Sequence, residues 1–424
     1  MAPPMRLSDL FGDPGRLGPL LRAASATDDF DGFAAACARA PLRGGLARSI
    51  GEAARAFAER AGIDPGEAGG GVFGGQQPYV DYYPAVLAKL DAVQACGGFW
   101  AFADFAAVRS DPWMARTWIP SVGPAEGVVR LGFYSTRTHA GKDLRFVPPP
   151  DDAALRHVEA TLRQTMRGAG WPGSRARVSA LMEDYRQARR RALNAAEFNS
   201  IWSARVFRRL GYRVPFVSES EWLARDDVLP SIAETLGLFI EGNDAVIDAV
   251  SEAMRFPGVS FTAKPRGHVP IAVAAPGTGI RQRARFERRG GEVVLVAGDE
   301  TFRGDLAAIL RSLRGRWSLD VFSPIFLFRL GVTGIVAGRG SMRYTLVLGR
   351  VMEALTGRAL PPNLLCGCRS EPSGPLVEAV RRARGGLPGA LADYEPTLVA
   401  RLLTTDERAI REEIAASWRD GVVA

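Results

Sequence analysis

EAGGGVFGGQQP, residues 67–78, leads into a helical pattern that runs to Ala95 and then into the apolar, aromatic run Phe99 to Phe105. Strand, turn, helix and strand in that order make a βαβ unit, because parallel strands can be joined only through a crossover. Within the stretch, Gly74-Gly75-Gln76-Gln77-Pro78 is expected between the strand and the helix. Glycines there let the backbone come close to a ligand, and the helix start offers unpaired N–H groups to an anion. Asp81 is the candidate N-cap of that helix, with Pro84 in its first turn. The side-chain amides of Gln76 and Gln77 can each donate and accept. The same glycines also read as a plain tight connection.

A second unit of this kind follows far along the chain. The apolar run Val332 to Ala337 reads as a strand, Gly338-Arg339-Gly340-Ser341 as a turn, and Met342 to Leu355 as a helix with Ser341 as its N-cap. Arg339 adds a fixed charge beside the phosphate-sized site at that helix terminus. If both turns sit at the carboxyl ends of parallel strands, they line one crevice, which is where open α/β sheets bind ligands.

Between and around these units the pattern changes several times. Residues 14–62 read as short helices that form a lid or flank. Val128 to Tyr134 is extended and ends in Pro148-Pro149-Pro150, which marks a boundary. Asp151 to Arg209 is mostly helical, with a break at Trp171-Pro172-Gly173. Tyr212 to Val217 reads as a strand and Ser220 to Met254 as helix. Three β-rich runs, Val269 to Ala274, Ile280 to Phe286 and Glu292 to Ala297, follow. The last two are joined by Arg288-Arg289-Gly290-Gly291 as a hairpin, expected as a small insertion in the main sheet. The end, Pro375 to Ala424, reads as charged helix.

Composition narrows the functional classes. Apolar residues make up 47% and charged residues 24% of the 424, the balance of a globular chain. The first residues lack the apolar stretch of a secretory signal, and Ser323 to Ala337, the most apolar segment, is interrupted by Arg329 and is shorter than a membrane span. Four cysteines, Cys37, Cys96, Cys366 and Cys368, make no disulfide framework, so a cytoplasmic, reducing compartment is expected. Cys366-Gly367-Cys368 supplies two ligands where structural zinc wants four, so no metal is expected. The net charge is +8, and its basic side is almost all arginine. The clusters at 186–191, 281–289 and 311–316 could meet phosphates or nucleic acid, but they lack aromatic interleaving and read as solvated faces.

Val72-Phe73-Gly74-Gly75-Gln76-Gln77-Pro78, the helix to Lys89 and Phe99-Trp100 resemble the opening of the cysteine-adding ligase family of bacillithiol biosynthesis, with its Thr-Gly-Gln-Gln turn and Phe-Trp strand. The resemblance resumes at Glu292 to Glu300, Phe322-Ser323-Pro324, Val332 to Ala337, Gly338-Arg339-Gly340 and Tyr344, and spans about two thirds of the chain in order. It implies an α/β fold with a Rossmann-like parallel sheet, similar to nucleotidylyltransferases and class I aminoacyl-tRNA synthetases, with helical insertions and a short helical C-terminus. It also implies ligation of cysteine, or a similar small amino acid, to an amino-sugar or other amine acceptor. The expected organisation is a helical flank (1–66), a first core segment (67–150), a mostly helical connection with one core strand (151–256), a β-rich insertion (257–298), a second core segment (299–374) and C-terminal helices (375–424).

The chain also departs from that family. Ala101-Phe102-Ala103-Asp104-Phe105 replaces an acidic run with a histidine, Ser341 stands at the family's glutamate and Arg339 at its proline, and Tyr82-Tyr83-Pro84-Ala85 replaces Gly-Pro-Leu-Tyr. Asp104 is then the best remaining carboxylate for a substrate amine, its alternative being a loop or N-cap acid. Gly74, Gly75, Gln76, Gln77, Gly338, Arg339, Gly340, Ser341 and Tyr344 are assigned to substrate or nucleotide. The cofactor stays open, ATP or another nucleotide being compatible, as is a homodimer. The alternative function is a non-catalytic relative that binds a nucleotide or sugar phosphate and works through a partner.

Overall fold

The computed structural model describes residues 5–39, 44–67, 69–108, 114–120, 128–169, 173–289, 292–368 and 395–419. In chain order its strands are β1 (Ala26–Thr27), β2 (Val72–Gln76), β3 (Phe99–Phe102), β4 (Arg116–Pro120), β5 (Val128–Gly132), β6 (Phe216–Ser218), β7 (His268–Ala274), β8 (Arg281–Arg289), β9 (Glu292–Ala297), β10 (Glu300–Arg303), β11 (Trp317–Leu319), β12 (Gly334–Ala337) and β13 (Asn363–Leu365). Six of them form one wholly parallel sheet in the order β1-β13-β12-β2-β3-β6. From β2 the chain steps outward through β3 to β6, then returns beside β2 as β12 and steps outward the other way to β13. That is the Rossmann-like order, and the direction reverses between β2 and β12. The N-terminal stretch is more than a flank, since β1 closes one edge of this sheet and Gly44–Ala61 is one long helix.

Both faces of the sheet are covered, which is why its strands read as continuous apolar runs such as Phe99-Trp100-Ala101-Phe102. Val72, Trp100, Phe102 and Val336 pack into one core with the helices Asp152–Ala169, Ser174–Arg191 and Ala195–Arg209. Phe73, Phe99, Ala101 and Ile335 point into the other core, shared with Leu229–Glu241, Asn243–Ala253 and Arg339–Thr356. The crossover helix Pro84–Ala95 is buried almost all round, because the C-terminal helix Glu407–Arg419 lies on its outer side.

The β-rich region departs from expectation. Its hairpin, β8 with β9, is not inserted in the main sheet but belongs to a separate antiparallel sheet of order β10-β9-β8-β7-β11, reaching to Leu319. Turn chemistry specifies the local partner of a strand and is silent about which sheet the pair joins. Gly290 and Gly291 of that hairpin, Trp171 and Pro172 of the helical break, and residues 375–394 lie outside the described residues.

The arginine clusters are largely paired within the chain: Arg186 with Glu159, Arg190 with Glu183, Arg311 and Arg314 with Asp226, and Arg316 with Glu300. Among the described residues, no helix is long and apolar enough to cross a membrane.

Candidate functional site

The reversal between β2 and β12 opens a cleft of about 1200 Å³. One wall is the carboxyl end of the parallel sheet, carrying Gly75, Gln76, Gln77, Gly338, Arg339, Gly340, Ser341 and Tyr344. The other comes from the antiparallel sheet and its loops, with Lys264, Arg281, Arg283, Leu319 and Asp320. The two glycine segments, more than 250 residues apart in sequence, therefore meet because β2 and β12 are neighbours, with Gly334 opposite Val72 and Val336 opposite Gly74.

Gly74 and Asp104 do not line this cleft. Gly74, Gly75 and Gln76 are the last residues of β2, not a turn after it, since they pair with Trp100, Ala101 and Phe102 of β3. A Cβ on Gly74 would lie 2.4 Å from Val93 Cγ2 and 2.9 Å from the Trp100 ring, so this glycine makes room for packing. Asp104 is buried and fully engaged: its carboxylate accepts from Ser218 Oγ at 2.7 Å, Ser220 N–H at 2.9 Å and Ser220 Oγ at 2.7 Å. It fastens the end of β3 to the start of the helix Glu219–Leu223.

The cap assignments also shift. Gly338, extended at φ −91° and ψ 176°, is the N-cap of Arg339–Thr356, and Ser341 sits three positions inside it, accepting from Tyr344 Oη at 3.0 Å. Gly338 has no side chain to cap with, and among the described residues no other side chain caps this terminus, so the first N–H groups of an 18-residue helix stand at the cleft that Gly338 to Ser341 line. For Pro84–Ala95 the N-cap is Tyr83. Asp81 is instead buried and accepts from Tyr82 N–H at 2.7 Å, Val399 N–H at 2.9 Å and the Thr117 hydroxyl. Burial pushes its carboxyl up to about 6, against those hydrogen bonds.

Two ionisable cleft groups went unassigned in the sequence. Glu219, at the end of β6, is 2% exposed, and burial, reinforced by the charge of Asp104 and opposed by a Ser323 hydroxyl, pushes its carboxyl up to about 8. Its Oε1 has no hydrogen-bond partner among the described residues. Lys89, on the crossover helix, is 5% exposed and donates to Gly75 O at 3.1 Å and Gln76 Oε1 at 2.9 Å. Burial lowers its ammonium to about 8. A carboxylate at the carboxyl end of a core strand is the one sequence signal that pointed to Glu219, and it pointed equally to Asp104.

The opposite wall holds a third group. Asp320 Oδ2 lies 3.1 Å from His268 Nε2 and 3.4 Å from Lys264 Nζ; burial pushes its carboxyl up, but the hydrogen bonds from His268 and Phe322 N–H and the nearby Lys264 outweigh it and hold the carboxyl below the usual range. The Lys264 ammonium lies 5.4 Å from the centres of both the Phe261 and Phe322 rings. His139 does not line the cleft. Cys366 and Cys368 are buried, with burial raising both thiols.

No protein-family model matches the chain, and no curated protein matches it.

Proposed function

We propose that this cleft joins an activated acyl group to an amine, as a carbon–nitrogen ligase that adds cysteine or a similar small amino acid to an amino-sugar or other amine acceptor in low-molecular-weight thiol or natural-product biosynthesis. The observation that carries the reading is the meeting of Gly75-Gln76-Gln77 and Gly338-Arg339-Gly340-Ser341, the segments of the bacillithiol-ligase resemblance, in one cleft that also holds Glu219. The parallel core suits nucleotide-type chemistry of the nucleotidylyltransferase kind, and the uncapped helix terminus with Arg339 fits the phosphate of an acyl phosphate or acyl adenylate. ATP is the natural candidate for supplying that activation.

In this reading the chain's residues divide the work. The N–H groups of the helix start and the Arg339 guanidinium face the charge that develops on the acyl oxygen as the amine adds. Glu219 takes the proton that the attacking nitrogen must lose, and the phosphate or AMP of the activated acyl group leaves with the electrons of the broken C–O bond; the raised pKa of Glu219 makes it a matched acceptor for an amine. Only ionised Glu219 can act so, and the rate therefore rises as pH passes through about 8 and levels off above it.

The test is mass spectrometry of the protein incubated with cysteine and glucosaminyl malate, with and without ATP. The condensed product is expected, and Glu219→Gln lowers its rate by about 10²-fold or more and removes the alkaline rise. A second reading, a nucleotide- or sugar-phosphate-binding relative without catalysis, is favoured by the engagement of Asp104 in three hydrogen bonds. Calorimetric ATP binding with no product, from these or other amine acceptors, would establish that second reading.

A further inference from the structure

Lysine is rare in this chain, occurring three times among 54 basic residues, and two of the three, Lys89 and Lys264, line the cleft. Arginine cannot give up its proton, whereas a buried lysine can, so a cleft that uses lysine in an arginine-dominated chain uses something arginine lacks. The two differ in their surroundings. Lys264 pairs with Asp320 at 3.4 Å and lies against two aromatic rings. Among the described residues Lys89 meets only neutral oxygens, Gly75 O and Gln76 Oε1, with the Trp100 ring 5.6 Å away. Among the described residues no carboxylate pairs with it; the ionisable group beside it is the buried Cys366 thiol.

A buried amine with no counter-ion is costly as an ammonium and comfortable as a neutral amine. As a neutral amine its two N–H groups satisfy the two oxygens, and its lone pair is left for an electrophile. Burial does lower this ammonium to about 8, so a reactive fraction is present at neutral pH. Beside it stands the uncapped start of Arg339–Thr356: a Cβ on Gly338 would touch Lys89 Cδ at 3.5 Å. An anion seated on that terminus is thus next to the lysine stem.

We propose that Lys89 is a carbonyl-reactive amine, and that the cleft captures as an imine a small aldehyde or ketone bearing a phosphate or carboxylate, its anionic end on the helix start at Gly338 to Ser341. In the step, the neutral ε-amine adds to the carbonyl carbon, both its N–H protons pass to the carbonyl oxygen, the C–O bond breaks as that oxygen leaves as water, and a C=N double bond remains. No oxidant or reductant is required. This capture does not rest on the ligase reading, since it needs neither ATP nor an amine acceptor.

The probe is pyridoxal phosphate, incubated with the full chain, reduced with borohydride to fix any imine as a secondary amine, and mapped by peptide mass spectrometry. Lys89 is expected to carry the phosphopyridoxyl group in preference to Lys142, Lys264 and the amino terminus. Pyridoxal, lacking the phosphate, should label Lys89 about tenfold less or weaker still, because charge-assisted hydrogen bonds to the anion are lost. Inorganic phosphate should compete. Label on the other amines with Lys89 untouched would overturn the proposal, and equal labelling by pyridoxal and its phosphate would overturn its anion half. Lys89→Arg keeps the charge and should lose the cleft label while leaving the circular dichroism unchanged; Lys89→Met serves where the arginine does not fit. Labelling without any condensed ligase product leaves this inference standing and sinks the ligase reading, and product without labelling does the reverse.

Discussion

Asp104 and Glu219 show how neighbours rather than residue type divide two carboxylates. Both stand at the ends of adjacent core strands, yet Asp104 accepts from three donors while Glu219 keeps an oxygen without a partner among the described residues. Asp104→Ala would strand the Ser220 N–H and two hydroxyls and is expected to destabilise the protein by about 1–3 kcal/mol in urea unfolding. Glu219→Gln has the opposite signature. Its folded carboxyl titrates near 8 against an ordinary 4.5, so its contribution to stability is whole below pH 4.5 and is lost as pH rises through about 8. The glutamine variant escapes that loss. Urea midpoints should coincide at pH 4 and favour the variant at pH 9 by about 1 kcal/mol or more. Gly75, Gln76, Gln77, Gly338, Arg339, Gly340, Ser341 and Tyr344 lie along the cleft because they stand at strand ends and a helix start, positions that local sequence pattern marks to within a few residues. Glu219 was not so marked, because what distinguishes it is burial supplied by distant chain.

The strands β2, β3 and β12 and the helices after β2 and β12 fell where the sequence pattern put them, but their ends shifted, and β1 and β13 of the same sheet had no counterpart in that pattern. The strand expected before Gly74 runs on to Gln76, because pairing with β3 continues through Gly75 and Ala101 to Gln76 and Phe102. Within it Gly74 has a steric role that no local pattern announces, set by Val93 and Trp100. Gly74→Ala is therefore expected to cost about 1–3 kcal/mol through overpacking, read as a lowered urea midpoint with an unchanged slope. The helix Pro84–Ala95 begins one residue after Tyr83 because proline fixes its own φ and keeps the preceding residue extended. That frees Asp81 to serve a tertiary contact. Ser341 is likewise displaced from the cap by Gly338, whose extended backbone already lets its carbonyl accept from Met342 N–H.

Across the whole molecule, the C-terminal helices secure the crossover helix that carries Lys89. Val399 N–H reaches Asp81, Arg411 pairs with Asp91 at 2.7 Å, and Trp418 Nε1 donates to the same carboxylate at 3.0 Å while its ring meets Phe30 edge-on. Trp418 is 4% exposed, and Trp418→Ala is expected to cost about 3–5 kcal/mol through cavity formation, again by urea unfolding. Because the helix it supports lines the cleft, the variant should also weaken pyridoxal phosphate labelling at Lys89. The antiparallel sheet belongs to this scale as well, for it supplies the cleft wall that holds Asp320, Lys264 and Arg283.

The sequence by itself determined the α/β character, the two glycine-bearing units and the strand segments of the β-rich region, because hydrophobic period, turn residues and proline act within a few residues of themselves. Only the tertiary structure decided that β12 returns beside β2, that the hairpin builds a second sheet, that Asp104 is spent on fastening and that Glu219 and Lys89 face the cleft. Those outcomes depend on which surfaces exclude water together. Desolvation is a sum over neighbours drawn from the whole chain, and no window of sequence contains it.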